Sequence, residues 1–297
     1  MGKALADAFA PARAVFEEVD AALGERLTRT MWEGPAEALM LTENAQPALL
    51  AASLAVMRVL EAEGGLDLGR RLAYVAGHWL GEYSALAAVG TFPVADAVRL
   101  VKRRGQAMQK AVPVGEGAMA ALLGLDIEAA REVAAAAANG GECAVANDNC
   151  PGQIVVSGHK SAVERAVALA SERGARRSIM LPVSAPFHCA LMAPAGEIMA
   201  EALEEVAVAP PLVPVVANVT AAPVSDPDEI KELLVEQVTR MVRWRESVLL
   251  FKQNDVEEVV EIGSGRVLSG LIKRIDRELA TATAGTVTEV EAVMKRL

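Results

Sequence analysis

The sequence predicts an α/β fold in which a large domain built on a parallel sheet carries an inserted small domain. Three observations carry that expectation. The run over 72–76 (Leu-Ala-Tyr-Val-Ala) is short, apolar and followed by Gly77 and a helical stretch, which fits a strand buried on both faces. The stretch over 117–182 has a strand and helix pattern of its own. Of 297 residues, 53% are apolar and 23% charged, enough for a large core and too apolar for intrinsic disorder.

Taken in order, residues 3–27 read as an amphipathic helical region, with Pro11 marking a break or a second helix start. Residues 44–63 read as an Ala/Leu-rich helix ended by Gly64 and Gly65. Its apolar run over 47–57 stops at Arg58, short of the roughly 20 residues a membrane span requires, so it is expected in the core. After the strand at 72–76, helices are expected over 82–89 and 94–108. Within the next stretch, 118–125 reads as a strand and 127–138 as a helix capped by Asp126. Strands at 143–147 and 153–157 follow, then a helix over 161–173 with Ser161 and Glu164 in capping-box spacing, and a strand at 178–181. The order β-α-β-β-α-β is the ferredoxin-like plan, so 112–184 is expected as the insert and 1–111 with 185–297 as the large domain. Beyond it, strands are expected over 213–218 and 256–262, connected by Pro-rich segments at 209–214 and 223–227.

Lys and Arg number 29 against 39 Asp and Glu, a net charge of −10. Nucleic acid and anionic membranes both need a basic face, so neither is an expected partner. No charged-then-apolar leader opens the chain, and three cysteines (Cys143, Cys150, Cys189) suit a reducing cytoplasm. The histidines are His78, His159 and His188, and none has a Cys or His at metal-ligand spacing, so no metal is expected.

Chemistry concentrates at a few places. Gly77-His78-Trp79-Leu80-Gly81 lies between a strand and a helix, the setting that gives a G-x-S-x-G nucleophile elbow its meaning, and alone it fits a structural turn equally well. Its central residue is Trp79. Indole donates a hydrogen bond but is no base-activated nucleophile. On the next helix Arg104 shares the apolar stripe of positions 94, 97, 98, 101 and 108, so its guanidinium pairs either with a protein carboxylate or with a ligand carboxylate. His188, in Pro186-Phe187-His188, is a structural group or a general base, depending on what the fold brings near it. His78 fits binding or packing, and His159 a surface position. Asn147 opens Asn-Asp-Asn-Cys-Pro-Gly-Gln, which builds a turn or contacts a polar ligand. The Gly-rich stretch over 261–270 matches neither dinucleotide nor P-loop pattern.

Together these residues resemble the malonyl-CoA:acyl carrier protein transacylases of type II fatty-acid synthesis. The likeness spans nearly the whole chain. It rests on Gly77-His-Trp-Leu-Gly-Glu-Tyr-Ser-Ala-Leu86, Arg104-Gly-Gln-Ala-Met-Gln109, Ala146-Asn-Asp-Asn-Cys-Pro-Gly-Gln153, Pro186-Phe-His188, Asn218-Val-Thr-Ala221, Leu234-Val-Glu-Gln237 and Glu261-Ile-Gly-Ser-Gly265. The resemblance implies an α/β-hydrolase-like large domain with a ferredoxin-like insert. It implies ping-pong transfer of malonyl from coenzyme A to the phosphopantetheine thiol of acyl carrier protein, with no cofactor of the enzyme's own. His188 matches the general base, Gln237 the residue whose backbone carbonyl orients it, Leu80 the oxyanion amide and Arg104 the malonyl clamp. Met108, Phe187, His78 and Asn147 match substrate-binding positions, Phe187 as the bulky neighbour that favours malonyl over branched units.

Two departures shape the expectation. Trp79 stands at the serine's place, and the chain begins with Met1-Gly-Lys where the family first has a strand and a Phe-Pro-Gly-Gln-Gly-Ser-Gln loop. Ser84 is five residues further on, about 140° around the helix at 100° per residue, and does not replace the serine. The chain is therefore expected to be impaired or silent in malonyl transfer. A non-catalytic carrier-protein-binding paralogue is the alternative; a hydrolase on the same elbow meets the same obstacle and gives Arg104 no role.

Overall fold

Phe9, extended at φ −126°, separates α1 (Lys3–Ala8) from α2 (Ala10–Leu23), and Pro11 falls in the first turn of α2, where a missing N–H costs no helical bond. The computed structural model describes residues 1–183 and 185–297; Ser184, the last residue of the expected insert, lies outside the described residues. Gly24 ends α2 in a left-handed cap, and α3 (Leu27–Glu33) and α4 (Ala36–Met40) lead into α5 (Thr42–Ala62). By length and composition α5 is apolar enough to cross a membrane, yet 67% of its most apolar window is buried inside the fold. The next helix, α6 (Leu68–Arg71), takes the N–H of Leu72 onto Leu68 O, so the strand expected over 72–76 shortens to β1 (Val75–Ala76). After it come α7 (Gly81–Ala88) and α8 (Val94–Ala111), and α8 lies across α2 and α5.

The ferredoxin-like part follows as β2 (Gly117–Leu123), α9 (Ile127–Ala138), β3 (Cys143–Cys150), β4 (Gln153–His159), α10 (Lys160–Glu172) and β5 (Arg177–Met180). Its antiparallel sheet has the order β3-β4-β2-β5. Leu122, Ile154 and Val156 bury against Val133 of α9 and Val163 and Ala166 of α10. Asp126 caps α9 as expected, its side chain accepting from Ala129 N. Two expectations fail. The capping box at Ser161 does not form, because Lys160 N donates to Glu116 O and the helix starts one residue early, leaving Ser161 inside the first turn. Asn147 also belongs to no turn. Pairing with β4 as far as Cys150 and Gln153 continues β3 to Cys150 and leaves Pro151 and Gly152 to turn the chain, while on the other edge Val242 N donates to Ala146 O at 2.9 Å and Asp148 N to Val242 O at 3.0 Å.

The chain returns through a 3-10 turn (Ala190–Met192) to α11 (Ala193–Glu204), which packs on α8. The strand expected over 213–218 is confined to β6 (Val215–Val216), since Pro214 has no N–H and Ala217 N closes a turn onto Ala222 O. Then follow β7 (Pro223–Val224), α12 (Pro227–Gln237), α13 (Trp244–Gln253), β8 (Glu258–Ile262), α14 (Val267–Ile275), β9 (Ala280–Ala284) and α15 (Val287–Met294), the last closed by a Thr286/Glu289 capping box. The parallel character expected of the large domain appears as two pairs, β1 with β6 and β8 with β9, while β7 runs antiparallel to β6. Phe16, Leu50, Leu54, Tyr83, Phe92 and Met108 centre the main core. A separate cluster holds Cys150, Val242, Trp244, Val248 and Phe251. All three cysteines are free and buried.

Candidate active site

The elbow after β1 is shaped by its glycines. A Cβ on Gly77 would lie 1.9 Å from the carbonyl of Gly81, so only glycine lets the strand end meet the start of α7. Trp79, at the apex, has φ 59°, a left-handed backbone that an L-residue holds only under constraint. Asn218 supplies the constraint from the turn after β6. Its Oδ1 accepts from Trp79 N at 2.7 Å and its Nδ2 donates to Gly77 O at 2.6 Å.

Gln237, fully buried at the end of α12, ties the remaining groups to this elbow. Its Nε2 donates to Trp79 O at 3.0 Å and to Glu82 at 2.7 Å, and its Oε1 accepts from Arg104 at 2.8 Å. Its backbone carbonyl accepts from His188 Nδ1 at 2.9 Å, and Arg240 O accepts from the same nitrogen at 3.1 Å. Two carbonyls can only accept, so Nδ1 carries the proton and Nε2 presents a lone pair. That Nε2 is buried without a hydrogen-bond partner among the described residues. Burial, reinforced by the charge of Arg104, pushes the His188 pKa down to about 3, and the ring is neutral at ordinary pH. His188 also has a left-handed backbone, φ 58°.

Arg104 has zero exposure and, among the described residues, enters no ion pair with a protein carboxylate. Instead of a carboxylate, two amide oxygens receive it, Gln46 at 2.8 Å and Gln237 at 2.8 Å. Its Cζ lies 5.4 Å from the Trp79 ring and 5.8 Å from that of Tyr83, within cation–π range. Glu82 is one amide away through Gln237. Burial pushes the Glu82 pKa up to about 7 against the opposing bonds from Gln237 and Asn218 and the charge of Arg104. Burial also lowers the pKa of Arg104 from its usual value.

Trp79 lies among the remaining predicted residues. Its ring is 5.1 Å from Phe187 and 6.3 Å from His188, centroid to centroid. Met108 lies behind Arg104, its sulfur 3.9 Å from Gln46 Nε2, and Leu80 follows Trp79 as a buried residue. His78 and Asn147 contact other partners. His78 pairs with Asn149 Oδ1 at 2.8 Å and meets Trp244 edge-on, a packing role, and burial lowers its pKa. Asn147 bridges to Val242 within the strand. His159 is not simply a surface group, because its Nδ1 accepts from Glu142 N at 2.8 Å.

Sequence reasoning missed Gln46, Glu82 and Asn218 as site residues. A carboxylate in the wholly buried helix α7 was the available signal for Glu82, and an amide in the Ala/Leu-rich α5 that for Gln46. Among the described residues no group of three or more His, Cys, Asp or Glu side chains could hold a metal ion. A groove of about 460 Å³ between the insert and the α12–α13 connection, bordered by Val145, Thr239 and Met241, reaches His188.

The family model of the acyl transferase domain matches residues 1–294. The malonyl CoA-acyl carrier protein transacylase of Bacillus subtilis (strain 168) is 44% identical over 298 residues, covering 100% of this chain and 92% of its own. The crystal structure of the acyl-carrier-protein-S-malonyltransferase from Bartonella henselae superposes with a TM-score of 0.97 at 53% identity, covering 100% of this chain and 94% of that one. A type II PKS acyl-carrier protein in complex with its malonyl-transacylase matches at TM-score 0.96 and 40% identity, covering 100% and 95%. With a left-handed elbow, a neutral histidine and a buried arginine on that frame, the chain belongs to the acyl transferase family, among the malonyl CoA-acyl carrier protein transacylases.

Proposed function

We propose that this site is that of a malonyl transferase in which Trp79 stands at the nucleophile position, so that the chain keeps the recognition geometry and lacks acyl transfer of its own. The observation that carries it is the apex residue. Trp79 holds the left-handed backbone of an elbow nucleophile beside a histidine whose Nε2 is free, and its indole covers the arginine. In a serine form, His188 Nε2 would take the hydroxyl proton as the oxygen attacks the thioester carbonyl of malonyl-CoA. The Leu80 amide would bind the developing oxyanion, and collapse would expel coenzyme A as its thiol. The thiol of the carrier protein's phosphopantetheine would then reverse the sequence. Arg104 would clamp the free malonyl carboxylate, with Met108 and Phe187 as walls and Gln237 O orienting the base. Residues 112–184 act as the insert and the rest as the large domain. Three free, buried thiols support a reducing, cytoplasmic setting.

Intact-mass analysis after incubation with malonyl-CoA tests this directly. The wild-type chain is expected to gain no mass and Trp79→Ser to gain one malonyl group. A covalent malonyl adduct on the wild-type chain would overturn the proposal.

A second reading, a carrier-protein-binding paralogue without catalysis, is favoured by the completeness of the fold around the covered arginine. Arg176 and Arg177 are exposed, and among the described residues neither enters an ion pair, which suits docking of an acidic carrier protein. Titration calorimetry of the wild-type chain against holo carrier protein tests the second reading: measurable binding supports it, and no detectable binding overturns it.

A further inference from the structure

The motif beginning at Asn147 has a task that none of the roles above describes. β3 is an edge strand of the insert's sheet, and the segment joining α12 to α13 covers that edge. At the centre of the contact Asp148 is a carboxylate with zero exposure. It receives Arg245 through Nε, at 3.1 and 2.9 Å to its two oxygens, and through Nη2 at 2.8 Å. The backbone of Asp148 also donates to Val242 O at 3.0 Å. A buried carboxylate is tolerated only when paired in this way, and the pair sits beside the apolar cluster of Cys150, Val242 and Trp244.

The covering segment is the one that holds His188. Gln237 O and Arg240 O are the acceptors of its Nδ1 proton. Gln237 is fixed by its own side chain, whereas Arg240 is held from the helix side by its N–H on Glu236 O at 3.0 Å and from the other side by the anchorage that follows it: Val242 on β3, Arg243 N on Asn218 O at 2.9 Å, and Arg245 on Asp148. We propose that Asp148 is a positioning residue for His188, acting from the insert through its ion pair with Arg245 to fix the second of the two carbonyls that hold the imidazole in its Nδ1–H tautomer. Calling His188 the base rests on the malonyl-transfer reading; the tautomer it adopts does not.

The test uses the full chain labelled with 15N-histidine. Three histidines give few signals, and His159, whose Nδ1 accepts, supplies the opposite tautomer as an internal reference. The double variant Asp148→Asn with Arg245→Gln removes both charges at near-constant volume and so protects the fold. It is expected to turn the single His188 tautomer into a mixture while His159 is unchanged. Arg245→Lys, which keeps the charge on Asp148 but not the fork, is expected to restore the single tautomer in part. A His188 that keeps one Nδ1–H tautomer in the double variant overturns the proposal. Placed in the Trp79→Ser background, the double variant is expected to lower kcat by about 10²-fold with KM for malonyl-CoA unchanged, the effect of a misaligned base. Should Trp79→Ser take up no malonyl group at all, the transfer reading fails while the tautomer result still decides the role of Asp148.

Discussion

Trp79 combines a left-handed backbone with a large aromatic side chain, and the two make opposite demands on a replacement. The ring fills the space between Phe187, His188 and Arg104, so truncation removes packing and the aromatic face over a buried cation. The backbone at φ 59° strains any residue with a Cβ by about 1–2 kcal/mol. Trp79→Gly is therefore expected to be more stable than Trp79→Ala by about 1 kcal/mol in urea unfolding, the reverse of the order found in a helix. The neighbouring titratable groups act on stability in opposite directions. His188 stays neutral in the fold down to about pH 3, whereas the unfolded chain protonates it below 6.5, so its contribution is lost as the pH falls from 6.5 towards 3. Glu82 accepts a proton in the fold at about pH 7, against 4.5 ordinarily, so its contribution grows as the pH falls from 7 to 4.5 and is lost as the pH rises. Below pH 4.5 the histidine effect continues without the opposing one from Glu82, alongside that of Glu289, whose bonds to Thr283, Gly285, Arg266 and Thr286 hold its carboxyl down to about 2. His188→Gln is expected to flatten the acid limb there, as denaturant midpoints measured across pH would show.

Among the elements, helices were easier to read from the sequence than strands. The period of α5, α8 and α9 spans several turns and dominates the pattern, and Asp126 marked a true cap. Strand ends depended instead on distant partners. The pattern does not say that Val242 bridges onto the edge of β3, or that α6 claims the N–H of Leu72. The same distinction governs the two capping boxes. At α15 both halves are made, Glu289 N to Thr286 Oγ1 at 3.3 Å and Thr286 N to Glu289 at 3.0 Å, whereas at α10 the spacing of Ser161 and Glu164 is present without the bonds. Thr286→Ala is expected to cost about 1 kcal/mol and Ser161→Ala less than about 0.5 kcal/mol, compared by thermal unfolding. Motif residues were legible because glycines and a lone histidine stand out in the chain. Gln46, Glu82 and Asn218 were missed as site residues because their work is done across gaps of 58, 155 and 136 residues.

At the scale of the whole molecule, the insert's helices close one core over its sheet while Met119, Ala121 and Val155 of the same sheet join the main core, and the connection over 237–245 beside the candidate site runs along the β3 edge. The arginine, the histidine and the elbow come from α8, from the chain after the insert and from the end of β1, so their convergence is a property of the assembled chain alone. The burial of the three thiols has a use in measurement. Cys143 belongs to the insert's core, Cys150 to the cluster beside Trp244, and Cys189 follows the histidine, and burial raises the pKa of each. A thiol that is neither exposed nor ionised is alkylated only when its surroundings open. Iodoacetamide footprinting under native conditions should therefore give three separate clocks. If the insert breathes independently, Cys143 will be capped ahead of the other two, and equal rates would mean that the chain opens only as a unit.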